Sequence, residues 1–211
     1  MFPLHTVFFP GMTLPLHIFE PRYRQMVNRC LTEREPFGVV LIRRGPEVGG
    51  YAEPYPIGTY GLISRVERLR DGRMNIEVVG QERFRVLALH HDEAYLTGTV
   101  EKFPLVEAHG PTVIRCAQRL IHWLDRYLKL LSEVANISFD RQGLPTSPVA
   151  LAYFAAIIIQ APLTEKQTLL SCPTADEMLE RECVLYRREL SLIRAMLDSR
   201  RFRQNSDFSP N

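Results

Sequence analysis

Few residues of this chain could bind a metal or transfer protons, and the densest group of them is His90-His91-Asp92-Glu93. Imidazole and carboxylate groups are common zinc ligands and common general acids and bases. Adjacent residues on a strand point to opposite faces, so two consecutive histidines cannot easily bind one ion. We therefore predict a solvated turn here and no metal site. His122 and Asp125 could share one helical side, but no further group completes a catalytic set.

Motifs of the common enzyme classes do not occur in the chain. No glycine is followed by lysine, so the phosphate-binding loop G-x-x-x-x-G-K-[ST] is missing, as is the serine-hydrolase motif G-x-S-x-G. We predict a protein that is not an enzyme, with no catalytic residues and no cofactor. The length of 211 residues also favours one or two domains over a multidomain machine.

The cysteines indicate a reduced compartment. No C-x-x-C pair and no histidine at zinc spacing occur among Cys30, Cys116, Cys172 and Cys183, which argues against both a disulfide framework and a structural zinc.

No signal peptide or membrane-spanning segment is predicted. Residues 1–19 lack the basic start of a signal peptide, and the apolar run over 149–161 spans only about 20 Å as a helix, too short for a bilayer. We expect a cytoplasmic protein with no membrane partner.

Arginine dominates the basic side chains. Of 26 basic residues only Lys102, Lys129 and Lys166 are lysines, and the formal net charge is +2. One group of arginines around a predicted hairpin is the candidate nucleic-acid patch of an alternative interpretation, RNA binding: Arg65, Arg68, Arg70, Arg73, Arg83 and Arg85. Acidic residues are interleaved with this patch and the chain is nearly neutral, so a nucleic-acid partner is disfavoured.

The first half of the chain is predicted to be mostly strand. Extended segments are expected over residues 14–19, 38–42, 59–69, 74–89 and 95–103, with one helix inserted from Pro21 to about Leu31. Asp71-Gly72 is the strongest hairpin signal, and Gly80 marks a bulge or bend that would let a sheet curl. Together these predict a small barrel-like, mostly antiparallel sheet. Residues 45–58, rich in glycine and proline, are predicted to form a long loop, in which Tyr51 and Tyr55 are of a type enriched at interfaces.

The second half is predicted to be helical. Apolar residues recur every three or four positions over 113–131 and over 179–197, and the segment 149–161 is apolar nearly all round. A capping-box pattern begins a short helix at Thr164 and another begins the last helix at Thr174. The stripes predict a helical bundle, and packing within one chain is favoured over a dimer. The predicted domains are residues 1–108 (β) and 109–203 (helical), followed by a frayed tail over 204–211.

Several segments share a pattern with one known family. They are Phe2-Pro3-Leu4, Val7 to Met12, Leu14 to Tyr23, Gly38-Val39-Val40, Ile57 to Glu67, Gly80 to Val86 and Leu163 to Leu170. In this order they cover nearly the whole chain, which resembles the amino-terminal domain of Lon proteases. The resemblance implies an α+β fold: a PUA-like β pseudo-barrel with an inserted helix, followed by a C-terminal α-helical bundle.

The resemblance also implies a function. In Lon proteases this region helps to recognise protein substrates, whereas other domains hydrolyse ATP and cut peptides. We therefore expect a binding module for unfolded or specific protein segments, with partners among the components of a proteolytic system. Binding needs exposed apolar or charged groups. The candidates are Phe8, Phe9, Arg43, Arg44, Tyr51 and Tyr55.

Overall fold

The computed structural model describes residues 1–50, 52–107, 110–135 and 143–206. Internal contacts divide the chain into two compact units. The first contains Met1–Val106 and Pro162–Pro173, and the second contains the described residues between 107 and 161 and from 174 onward. The domain limits predicted from the sequence stay a prediction. The contacts differ from them in placing residues 162–173 with the strands, and helix continues to Ser206, into the predicted tail.

Over these described residues the chain forms six strands and five α-helices. The strands are β1 Phe2–Leu4, β2 Thr13–Ile18, β3 Phe37–Arg44, β4 Glu53–Arg68, β5 Met74–His90 and β6 Thr97–Lys102. The helices are α1 Pro21–Glu33, α2 Pro111–Ala135, α3 Pro148–Ile158, α4 Leu163–Leu170 and α5 Ala175–Ser206.

The strands form one mixed sheet in the order β1-β3-β4-β5-β2, and β6 pairs with β5. The β1–β3 pair is parallel and the other pairs are antiparallel. Within the described residues no pairing joins β1 to β2 or to β6, so the sheet is open rather than a closed barrel. The pseudo-barrel of the sequence interpretation therefore stays a prediction.

The hairpin predicted at Asp71-Gly72 is present between β4 and β5. Gly72 has a φ of 81°, a left-handed conformation that favours glycine. The Asp71 carboxylate accepts a hydrogen bond from the Arg73 backbone N–H at 3.0 Å. This bond from a side chain to the backbone two residues later stabilises the turn. This turn sets the register of the two longest strands, which begins at Arg68 opposite Met74.

The loop predicted over residues 45–58 is shorter in the structure, because β4 already begins at Glu53. Pro54 pairs with Ile42 at a point where the β3–β4 register shifts on both sides. A bulge accommodates proline, which cannot donate a ladder hydrogen bond. Pro54 and Pro56 therefore mark an irregular strand rather than a loop.

Two glycines allow β4 and β5 to pack closely against the buried residues of the first unit. Gly61 and Gly80 face each other across β4 and β5, beside a register shift. A Cβ on Gly80 would lie 2.2 Å from the carbonyl oxygen of Phe9, so only glycine fits there. The Phe8 carbonyl accepts a hydrogen bond of 2.5 Å from Thr59 Oγ1. The first turn of the chain is thereby held inside the core of the first unit.

Helix α4 returns to the sheet of the first unit through two buried side chains. Arg83 of β5 donates from Nη1 to the carbonyl oxygens of Leu170, at 2.5 Å, and of Cys172, at 2.8 Å. Gln167 donates from Nε2 to the Ile57 carbonyl at 3.0 Å. Helix α4 is thus bound to the strands although it lies about 80 residues later in the sequence.

Helices α2, α3 and α5 pack on one another in the second unit. Helix α3 begins after Ser147, whose hydroxyl accepts from the Ala150 N–H, and Pro148 takes the first helical position. The Tyr186 hydroxyl donates to the Ala155 carbonyl at 2.8 Å, and its ring lies edge-on to Tyr127 at 5.1 Å. The apolar segment predicted over 149–161 thus contains a helix that packs against α2 and α5, whereas the helical bundle itself stays a prediction. None of the described helices is long and apolar enough to cross a membrane.

Candidate protein-binding surface

An open groove of about 390 Å³ lies on the solvent side of β2, β5 and β4. Side chains alternate between the two faces of a strand. On β2 the inward positions Leu14, Leu16 and Ile18 pack into the core, so Thr13, Pro15 and His17 face outward. The register aligns Pro15 with Glu77 and Arg65, and aligns His17 with Asn75 and Glu67. These six side chains line the groove.

Polar contacts order the floor of the groove. His17 Nδ1 lies 2.7 Å from Asn75 Oδ1, and Asn75 Nδ2 donates to a Glu67 carboxylate oxygen at 3.0 Å. Because the Asn75 amide nitrogen already donates to Glu67, its oxygen is the acceptor, and His17 carries its proton on Nδ1. In the neutral form of a ring that carries its proton on Nδ1, Nε2 is an acceptor. Beside this row Arg65 pairs with Glu77 at 3.6 Å.

The loop after β3 is bound to the start of α1. Glu20 and Arg22 form an ion pair of 3.1 Å, and Arg22 Nη1 donates to the Gly50 carbonyl at 3.0 Å. A Glu20 carboxylate oxygen also accepts from the Gly49 N–H at 3.4 Å. The Arg22 guanidinium lies 4.6 Å from the centre of the Tyr23 ring, and burial raises the pKa of the Tyr23 hydroxyl. The loop is therefore held beside the end of β2.

Three large apolar side chains are exposed around this groove. Phe19 is 47% exposed and follows β2; Val48 is 54% exposed and precedes Gly49, which is bonded to Glu20; Leu62 is 44% exposed and pairs with Val79 at the other end of the face. The His17 ring stacks on Phe19 at 6.1 Å. From Thr13 to Phe19 an extended chain covers about 20 Å. We call the groove together with Phe19, Val48 and Leu62 the outer surface.

The edge strands β1 and β2 offer little room for an added strand, whereas β6, which pairs only with β5 among the described strands, leaves one edge open. Among the described strands, β1 and β2 end the sheet order, and β1 has only three residues. Strand β2 carries Pro15, which has no N–H to donate to a neighbouring strand. Such short or proline-bearing edges discourage strand pairing. Side chains of the outer surface, rather than its backbone edge, are thus available to a ligand.

Comparison with known proteins identifies the family. The profile of the ATP-dependent protease La (LON) substrate-binding domain matches residues 1–188. The chain belongs to this Lon substrate-binding domain family. It is 26% identical over 188 residues to Lon protease 2 of Syntrophobacter fumaroxidans, and 26% identical over 191 residues to Lon protease 1 of Hydrogenovibrio crunogenus. These matches cover 87% and 89% of this chain but only 23% of each relative, so the chain spans about a quarter of their length.

Solved structures of Lon N-terminal domains share the fold. The Lon N-terminal domain protein from Xanthomonas campestris superimposes with a TM-score of 0.63 at 26% identity, covering 85% of this chain and 93% of that one. The N-terminal domain of Mycobacterium avium complex Lon protease gives a TM-score of 0.60 at 20% identity, covering 87% and 96%. The family resemblance predicted from the sequence is therefore confirmed.

The aromatic pair proposed to bind peptide in this Lon-domain protein lies in the core. Phe8 and Phe9 are both buried, and Phe8 belongs to the same cluster as Ile18, Phe37 and Val78. In this conformation neither ring is accessible to a partner. The sequence analysis counts them among the exposed apolar candidates, but Thr59 and Gly80 hold this segment against the sheet.

The other proposed peptide contacts lie near the end of the β3–β4 pair. Arg43 is exposed and pairs with Glu53, while Arg44 is exposed opposite Glu53 in the register. Tyr55 is half-buried, and Tyr51 lies outside the described residues. Arg43, Arg44 and Tyr55 are thus neighbours on two paired strands, apart from Phe8 and Phe9. Their role in binding stays a prediction.

The arginines of the candidate nucleic-acid patch do not form a common basic surface in this domain. Arg73 pairs with Asp71 at 2.6 Å, Arg85 with Glu101 at 3.0 Å and Arg65 with Glu77. Arg68 donates to the Asn28 side chain at 2.9 Å, and Arg70 is exposed. Arg83 is buried beneath Phe103, bound to the end of α4. Carboxylates therefore neutralise much of the charge that phosphate binding would need.

No metal centre is found among the described residues of the domain. None of the His, Cys, Asp and Glu side chains there forms a group of three that could hold an ion. The His90 ring binds the Thr99 hydroxyl at 2.9 Å across β5 and β6 instead. His17, by contrast, lines the groove. The alternation Thr13-Leu14-Pro15-Leu16-His17-Ile18 could have revealed it, because this pattern continued by one position places Phe19 on the solvent face.

Proposed function

We propose that this protein of the Lon substrate-binding domain family is a non-enzymatic module that binds extended, unfolded protein segments on the outer surface. The observation that carries the proposal is the exposure of Phe19 and Leu62 at opposite ends of a sheet face about 20 Å long, which contains the ordered groove. An extended segment of roughly six residues would span this distance. Large exposed apolar side chains beside polar groups are typical of protein-interaction sites.

The groove fits a ligand without a fixed sequence. Apolar side chains of a bound segment would pack on Phe19, Val48 and Leu62. Backbone amides would meet the acceptor atom of His17 and the carboxylates of Glu67 and Glu77, and backbone carbonyls would meet the guanidinium of Arg65. None of these contacts demands a particular residue type at each position. The surface therefore suits the varied segments that an unfolded protein exposes.

Weak binding is expected from the area involved. Removing the exposed part of one such side chain from water contributes about 1 kcal/mol, and three of them contribute roughly 3 kcal/mol. Polar contacts add to this, whereas ordering a flexible ligand subtracts from it. The apolar contribution alone corresponds to a dissociation constant of roughly 6 mM, and a net polar contribution of about 1 to 4 kcal/mol would lower it to roughly 10 μM to 1 mM. Such affinities suit repeated capture and release of substrate segments.

The same proposal includes the protein's role, its location and oligomeric state, and two features of its fold. The protein acts as an adaptor or substrate-holding partner within a proteolytic system, without ATP hydrolysis or peptide cleavage of its own. It works in the cytoplasm and as a monomer. The curled sheet is a PUA-like pseudo-barrel, supported by the bend at Gly61 and Gly80. Helices α2, α3 and α5 form a bundle, supported by their mutual packing.

Titration against a permanently unfolded model protein tests the proposal. Reduced and carboxymethylated α-lactalbumin is added to the wild type and to the double variant Phe19→Ser/Val48→Ser, and binding is followed by calorimetry. We expect the double variant to bind about tenfold more weakly, which corresponds to about 1.4 kcal/mol. Leu87→Ser is the matched control, because Leu87 is 58% exposed on β5 but lies outside the groove. Absent wild-type binding, or equal losses in both variants, would overturn the proposal.

A further inference from the structure

A second groove lies between α2 and α5 in the helical unit. It has a volume of about 580 Å³. Its lining includes Arg119, His122 and Trp123 from α2 and Cys183, Val184 and Arg187 from α5. Trp123 is the only tryptophan of the chain. The groove therefore combines one large aromatic ring with several cationic side chains.

Two guanidinium groups and one imidazole ring surround the Trp123 ring. The Arg126 guanidinium lies 5.2 Å from the ring centre and the Arg187 guanidinium 5.7 Å from it, and the His122 ring meets it edge-on at 5.2 Å. A guanidinium within about 6 Å of an indole is attracted by the ring face and retains its hydrogen-bond donors. The ring thus holds two arginine side chains in place without neutralising their charge.

These two arginines differ from their neighbours on the same helices. Arg181 pairs with Glu177 at 3.0 Å, Arg188 with Glu189 at 3.1 Å and Arg119 with Glu180 at 4.0 Å. In the part of the chain that the structure describes, neither Arg126 nor Arg187 forms an ion pair with a carboxylate. Arg187 therefore lines the groove without a carboxylate partner, and Arg126 adjoins the groove on the Trp123 ring.

An apolar side chain adjoins these charges. Val184 is 64% exposed on α5, one turn before Arg187, and lines the groove. Tryptophan and arginine are the residues that most often dominate binding energy at protein interfaces, above all where an apolar contact lies beside a charged one. A guanidinium binds a carboxylate through two parallel hydrogen bonds.

We propose that this groove is a docking site for an acidic protein segment that carries an apolar side chain. Carboxylates of the segment bind the guanidinium groups of Arg126 and Arg187, and its apolar side chain packs on Val184 and the Trp123 ring. The positive charge is confined to these few residues, and the Glu180 carboxylate lies in the same lining, so the groove lacks the extended basic track that a nucleic-acid backbone needs. The site is independent of the outer surface and of its proposed ligand.

Trp123 itself reports on occupation of the groove, because all tryptophan emission of the protein comes from this residue. A short synthetic peptide of alternating Glu and Leu is titrated into the full chain while the emission is recorded. The comparison peptide replaces Glu with Gln, so that only charge differs, and a single-stranded oligonucleotide is the third probe. We expect saturable emission changes with the acidic peptide alone, weakened by added salt.

Two substitutions localise the binding. Arg187→Gln and Arg126→Gln are each expected to weaken the acidic peptide about tenfold, as the loss of a charge-assisted contact predicts. Arg181→Gln is the matched control on the same helix, because that side chain already pairs with Glu177. All three positions are at least partly exposed, and thermal unfolding verifies that the variants fold. Equal binding of the Glu and Gln peptides, preference for the oligonucleotide, no emission change, or equal loss in all three variants would each overturn the proposal.

Discussion

Arg83 donates a hydrogen bond from Nη1 to the carbonyl oxygen of Leu170, at 2.5 Å, at the carboxyl end of α4. The last carbonyl groups of a helix have no partner within it and carry partial negative charge. The Arg83 guanidinium therefore both satisfies this helix end and complements its dipole. Phe103 covers the guanidinium at 4.7 Å, and Arg85 lies on the same ring at 4.4 Å.

Replacing Arg83 tests whether it binds α4 to the sheet. We expect Arg83→Met to lower the free energy of unfolding by about 2–4 kcal/mol, because the carbonyls of Leu170 and Cys172 lose a buried charged donor. Arg83→Lys should lose less, since one donor remains. Urea unfolding measures the effect, and hydrogen exchange should show increased exchange in α4.

The matched control is Arg85→Met. Arg85 is exposed and pairs with Glu101 on the surface, so its removal should cost less than about 1 kcal/mol. Equal destabilisation by the two methionine variants would contradict the structural role assigned to Arg83.

Glu182 provides a prediction on pH dependence. Its carboxyl group is completely buried in the helical unit, and neither oxygen has a hydrogen-bond partner among the described residues. Burial raises the pKa of Glu182 well above its usual value. The unfolded chain releases this proton near the ordinary glutamate pKa of about 4.3, whereas the folded chain retains it. The contribution of Glu182 to the free energy of unfolding is therefore greatest below that pH. It decreases as the pH rises from the pKa of the unfolded chain toward the higher pKa of the folded chain.

Glu182→Gln removes this titration and resembles the protonated carboxyl group in shape. We expect the variant to be more stable than the wild type at pH 7, by up to about 3 kcal/mol, and equally stable near pH 4. Thermal unfolding across this range measures the difference. Glu133→Gln, at an exposed position of α2, should show no such pH-dependent gain. A constant difference between Glu182→Gln and the wild type at all pH values would contradict the prediction.

Gly80 tests the bend of the sheet. Gly80→Ala should destabilise the protein by about 2 kcal/mol or more, because the new Cβ would approach the Phe9 carbonyl oxygen to 2.2 Å and the backbone there cannot yield easily. Gly143→Ala is the control, since no atom lies within 4 Å of its Cβ position. Denaturant unfolding of both variants gives the comparison. Similar stability of the two would show that Gly80 is not required for close packing.

Nucleic-acid binding should be weak at all salt concentrations and should depend little on salt. Arg65, Arg73 and Arg85 already face carboxylates, so few counterions would be released when RNA binds. Gel-shift measurements over a range of salt concentrations test this expectation. The RNA-binding alternative would instead be supported by an affinity that decreases steeply with salt. The double variant Arg65→Gln/Arg73→Gln would then bind RNA more weakly than the wild type.

Local signals in the sequence predicted the elements well. Pro21 marked the first turn of α1, Asp71-Gly72 the β4–β5 turn, and the apolar segment containing Ala155 the packed helix α3. Each of these signals depends on residues that are close together along the chain. The family resemblance added the order in which the elements follow.

The same local signals could not predict contacts between residues that are far apart along the chain. Arg83 looked like part of a surface patch, because its partners Leu170 and Cys172 lie 87 and 89 residues away. Phe8 looked exposed because Thr59 and Gly80, which hold it inside, belong to later strands. The outer surface was missed for the same reason: the segments that carry Phe19 and Val48 are linked only through the contacts of Glu20 and Arg22 with Gly49 and Gly50.

Hydrogen exchange of the protein with and without unfolded α-lactalbumin tests the central claim most directly, because it locates the bound segment. We predict slower exchange upon binding in three stretches, residues 13–20, 47–50 and 62–67, which form the outer surface. The helical segments 113–131 and 179–197 should be unaffected. Binding that slows exchange only in those helices, or only around Arg43 and Tyr55, would contradict the assignment of the outer surface as the substrate-binding site.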